Sequence, residues 1–78
     1  MKDLKKEGLK YIEERFEKIK KYRKDENIEF AFIVYHEING AIDILHRLDI
    51  IDCEEDCLLS RKALDLVVGL KIEENINS

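Results

Sequence analysis

The stretch YHEINGAIDILHRLDIIDCEEDC, residues 35–57, gathers both histidines, His36 and His46, both cysteines, Cys53 and Cys57, and a run of carboxylates. These are residue types that bind zinc. A tetrahedral site needs four converging ligands, commonly a closely spaced cysteine pair joined by a closely spaced histidine pair. Cys53 and Cys57 supply the cysteine half at i,i+4. His36 and His46 lie on one helical segment, about 80° apart around it and about 15 Å apart along it, so they cannot share an ion. One set is left: His46, Cys53 and Cys57, joined across a turn, with Asp49 or Asp52 as fourth ligand. A simpler account covers the same residues. Asp52 and Glu55 have the spacing of a capping box, acidic side chains suit a first helical turn, and burial would account for Cys57. No metal and no other cofactor is therefore expected.

Catalysis finds little support in the residue types. Cys53 at a helix N-terminus gains from the helix dipole, but Asp52, Glu54, Glu55 and Asp56 oppose a negative sulfur, so the thiol is expected to be ordinary. Ser60 and Ser78 are the only serines and threonine is absent. Neither a Gly-rich phosphate loop nor a G-x-S-x-G elbow occurs, and a domain this small offers little room for a substrate pocket. The expectation is a protein that is not an enzyme.

The elements that would position these groups are three helices. Over residues 2–24, Leu4, Leu9, Tyr11, Ile12, Phe16, Ile19 and Tyr22 share one arc, with Lys and Glu opposite. Gly8 sits within that arc, where a second helix could come close. KDEN interrupts the pattern, with Asp25 or Asn27 as the next N-cap. IEFAFIVY is rich in β-branched and aromatic residues and could be a strand, but Phe30, Ala31, Val34, Tyr35, Ile38, Ala41, Ile42, Leu45 and Leu48 form one helical face, which predicts a helix over 28–48. The capping box then opens a third helix over 53–73 with Leu59, Ala63, Leu66, Val67 and Leu70 inward, ending in a polar, frayed NINS. Short connections give an all-α, three-helix up-down-up bundle formed by a single domain, 1–78.

Composition agrees with this architecture. The chain has 78 residues, 41% of them charged and 45% hydrophobic, with no Pro and three Gly, as expected of packed helices with solvated outer faces. The charged start and the absence of a long apolar run argue against a signal peptide or membrane span, and two cysteines do not make a disulfide scaffold, which points to a cytoplasmic protein with no membrane partner. Residues 1–24 carry ten Lys and Arg against five Asp and Glu, net +5; residues 25–78 carry four against 13, net −9, which together give the −4 of the whole chain. That asymmetry suits attraction within the molecule or between copies.

Two surfaces remain as candidates for function. His36, Asn39, Asp43 and Arg47 form a polar stripe on the second helix, with Phe32 and His46 at its margin. Asp43 and Arg47 can order each other at i,i+4, and Phe32 could serve as an aromatic anchor, so Phe32, His36, Asn39, Asp43 and Arg47 are the expected partner-binding residues. The basic first helix is the other surface, but Glu7, Glu13, Glu14 and Glu17 break up its positive charge, which makes nucleic acid the weaker partner. The apolar arcs of the second and third helices are each about 200° wide, more than three short helices readily cover, so a homodimer is expected. The reading reached is a small, non-enzymatic helical module that binds another protein, a regulator or inhibitor of the size found in phages and mobile elements. The alternatives are a nucleic-acid-binding regulator and a small zinc-binding domain.

Overall fold

A computed structural model describes the backbone of residues 3–77 and the side chains of residues 3–68. It contains three helices: α1 (Leu4–Lys24), α2 (Ile28–Arg47) and α3 (Cys53–Asn77). They form the expected all-α, up-down-up bundle, with no strand among the described residues. The ambiguous IEFAFIVY segment is helical because its apolar residues recur at the helical period well past its end, and burial follows that period. α3 continues four residues past the expected end, since its last turns contain neither Pro nor Gly to stop it.

Each helix boundary has a local cause. At the start of α1, the Asp3 carboxylate accepts a hydrogen bond from the Lys6 backbone N–H at 3.1 Å, and Lys21, Arg23 and Lys24 occupy the last turn, where the dipole favours cations. α1 then closes in a Schellman motif: the Asn27 N–H donates to the Tyr22 carbonyl at 2.8 Å and the Glu26 N–H to the Arg23 carbonyl at 3.1 Å. α2 ends the same way, with Ile50 donating to Leu45 and Asp49 to His46. The left-handed positions of these two motifs are held by Glu26 (φ 60°) and Asp49 (φ 58°). Glycine would be the usual residue at both. Asn27 stands at the N-cap of α2 without a side-chain hydrogen bond to it, whereas Asp25 is the C-cap of α1.

The capping box of α3 is formed. Asp52 Oδ1 accepts from the Glu55 N–H at 2.8 Å, and Glu55 Oε1 accepts from the Asp52 N–H at 3.3 Å. This accounts for two of the carboxylates in the acidic run.

The core is built from Ile12, Phe16 and Ile19 of α1, Val34, Ile38, Ile42 and Leu45 of α2, Ile51 of the second turn, and Ala63 and Val67 of α3. Burying side chains of the Ile and Phe type contributes about 1.5–3 kcal/mol each. The tightest approach is between α1 and α2. A Cβ placed on Gly8 would lie 2.8 Å from Leu45 Cδ2, so the absent side chain sets the spacing of this pair. Glu26 and this contact give a close α1–α2 hairpin, and the turn at Asp49 lays α3 onto it.

Contact between α1 and α3 is the sparsest of the three helix pairs. Long cationic side chains span the gap instead. Lys5 bonds Glu55 at 2.9 Å, Lys62 reaches Glu13 at 3.6 Å and lies over the Phe16 ring, and Arg23 donates to the Leu66 carbonyl. The hydrogen bond to Glu55 and that residue's negative charge raise the pKa of Lys5 above the ordinary lysine value. Beneath these bridges lies a groove of about 250 Å³ lined by Leu9, Glu13, Glu55, Leu58 and Leu59.

Several residues expected inside are not there. Leu4, Tyr11, Phe30 and Leu48 are exposed, because they lie at the edges of their arcs on the side away from α3. Cys57 is exposed as well, so burial does not explain it. Leu70 lies outside the residues whose side chains are described.

Candidate functional site

Among the described residues, nine large hydrophobic side chains are exposed, and six of them are Leu4, Tyr11, Phe30, Ile33, Ile44 and Leu48. These six belong to one face. At 100° per residue, Leu4, Tyr11, Arg15 and Tyr22 fall within about 40° of each other on α1, and Phe30, Ile33, Glu37, Ile44 and Leu48 fall within about 60° on α2. Direct contacts join the two rows. The Tyr22 and Phe30 rings stack with centroids 5.6 Å apart, and Arg15 reaches Glu37 at 3.7 Å. α3 meets the opposite sides of both helices, through Glu13 and Phe16 on α1 and His46 on α2. The outer α1/α2 seam is therefore an apolar strip left uncovered by the bundle.

An ion pair lies in the middle of this strip. The Arg15 guanidinium sits 4.7 Å above the Tyr11 ring, and its Nε is buried without a hydrogen-bond partner. An unpaired buried donor costs about 1–3 kcal/mol.

The stripe expected from the sequence divides into two parts. Asp43 and Arg47 pair at 2.8 Å as their spacing suggested, and with His36 they stand exposed on the back of α2, beside Ile33 and Ile44. Phe32 and Asn39 turn toward α3 and are half-buried, and Phe32 packs against the core. The exposed aromatic residue of α2 is Phe30, 50% accessible. Sequence reasoning placed Phe30 inward because the helical face drawn through it was one residue too wide at its start. The signal that could have corrected this is the i,i+7 recurrence of Phe30 and Glu37, which matches the spacing of Leu4 and Tyr11 on α1.

The second turn brings together the groups with which the sequence reading began. His46, in the last turn of α2, places Nε2 3.5 Å from the Sγ of Cys53, the first residue of α3. Its Nδ1 lies 2.6 Å from Asp56 Oδ2, and the other oxygen of Asp56 accepts from the Ser60 hydroxyl at 3.0 Å. The carboxylate that meets His46 is thus Asp56, not Asp49 or Asp52. Cys57 is exposed one turn further on, outside this hydrogen-bonded set. Among the described residues, no three His, Cys, Asp or Glu side chains converge in a way that could hold a metal ion.

Among the described residues, no helix is long and apolar enough to cross a membrane. No family model matches the chain, and no curated protein or solved structure does either.

Proposed function

We propose that this protein is a non-enzymatic helical module that works through protein–protein contacts, and that the outer α1/α2 seam is the surface that makes them. The observation that carries the reading is the gathering of six exposed apolar side chains on that one face. Scattered apolar residues are normal on a protein surface, but a continuous strip with a polar edge has the anatomy of an interface. His36, Asp43 and Arg47 supply that edge on the α2 side.

The occupant we assign to the seam is a second copy of the chain. α1 carries nine Lys and Arg against four Glu, net +5, and α2 carries Glu29, Glu37 and Asp43 against Arg47, net −2, so a two-fold arrangement laying α1 of each copy along α2 of the other would bring opposite charges together twice. The ion pair supports the same choice. A face with one cation and one anion near its centre is complementary to itself, since the Glu37 carboxylate of each copy can approach the Arg15 guanidinium of the other.

The test is the absolute mass in solution by light scattering at two protein concentrations. A mass of twice the 9.3 kDa chain is expected. Ile44→Glu should reduce it to that of one chain, and Leu64→Glu, on the α3 flank, should not. A wild-type monomer at both concentrations would remove the second copy as occupant, and a dimer indifferent to Ile44→Glu would place the interface elsewhere.

A further inference from the structure

We infer that Cys53 is a nucleophilic thiol served by His46 and directed at small uncharged electrophiles. This rests on the α2–α3 turn and is independent of the α1/α2 seam. An activated nucleophile is recognised by a side-chain base within reach of it and a third group that orients the base. Here the base is His46 Nε2, 3.5 Å from Cys53 Sγ, and the orienting group is Asp56, 2.6 Å from Nδ1. With the imidazole neutral, the short contact to Asp56 places its proton on Nδ1, which leaves the Nε2 lone pair facing the thiol. Asp56 is itself held by Ser60. Three successive side chains are thus aligned by a turn whose backbone is fixed by the Schellman motif and the capping box.

With hydrogen peroxide as the electrophile, the thiol proton passes to Nε2 and the sulfur attacks one peroxide oxygen. The S–O bond forms as the O–O bond breaks, and the departing hydroxide takes the proton back from Nε2 and leaves as water. Cys53 ends as the sulfenic acid, oxidised by two electrons, and the peroxide is reduced. The charges around the sulfur select the reagent. Asp52, Glu54, Glu55 and Asp56 flank it in the sequence, and the Lys5 cation is paired to Glu55. That field repels anionic electrophiles and admits neutral ones.

Cys57 provides an internal control, being exposed on the same helix without the histidine. The reduced full-length chain would be pulsed with iodoacetamide at neutral pH and the two cysteines quantified by peptide mass spectrometry. Cys53 should react about tenfold faster than Cys57 or more, and His46→Gln should bring the ratio close to one. Iodoacetate, the anionic analogue, should favour Cys53 less than iodoacetamide does. A peroxide pulse followed by dimedone should mark Cys53 first. Equal labelling of the two cysteines in the wild-type chain overturns the inference without recourse to any variant, and so does an unchanged ratio in folded His46→Gln protein.

Discussion

Replacing Gly8 and Gly40 separately with alanine tests the α1–α2 spacing on which the fold depends. Both glycines lie inside helices, where alanine is favoured by about 0.8–1 kcal/mol. A Cβ at Gly40 meets nothing within 4 Å, so Gly40→Ala should stabilise by about 0.5–1 kcal/mol. A Cβ at Gly8 would instead lie 2.8 and 3.0 Å from the two methyl carbons of Leu45, where ordinary contact begins near 3.4 Å. Leu45 must withdraw by roughly 0.6 Å within a packed interface, and overpacking of this kind costs about 1–3 kcal/mol. The propensity gain offsets part of that, leaving Gly8→Ala between neutral and about 2 kcal/mol destabilising. Urea denaturation followed by circular dichroism, at one fixed protein concentration, would separate the two variants. In a Leu45→Ala background, Gly8→Ala should become stabilising, because the clashing methyls are gone. Equal stabilisation by both alanines in the wild-type background would refute the close approach.

Two further substitutions examine the helix ends. Asp52→Ala removes the acceptor of the 2.8 Å bond to the Glu55 N–H and should cost about 1 kcal/mol in the same denaturation assay. Glu26→Gly relieves a left-handed residue at the first turn and should raise stability by about 1 kcal/mol, visible as a higher denaturation midpoint with an unchanged slope.

The fold was legible because its determinants are local. The apolar period, the capping box at Asp52 and Glu55, and the interruption at KDEN mark the helices within a few residues, and Gly8 marked the close contact in advance. Side-chain placement was less legible. A helical wheel gives the angle of Phe30 or Cys57 on its own helix but not where the neighbouring helix stops covering it, and that boundary decides exposure. The His46–Cys53 approach was visible only as a condition on the turn. Asp56 was harder to see, since the capping box already explained the acidic run as a group. One carboxylate of that run serves the histidine, and its distance from His46 depends on how α3 leaves Asp49.

The cationic bridges across the α1–α3 gap bear on how the molecule opens. α1 and α2 interlock at Gly8 and Leu45, while α3 is joined to α1 by lysine bridges that salt screens and an arginine hydrogen bond, and to the core, among the described residues, through Ala63 and Val67 with Leu59 and Leu66 packed at its edge. The least costly partial unfolding is then a swing of α3 about residues 48–52 with the α1–α2 hairpin left intact. Such a swing separates Cys53 and Asp56 from His46 in the same motion. Docking of the third helix and assembly of the thiol cluster are one event, and the lifetime of the cluster is the lifetime of that docking.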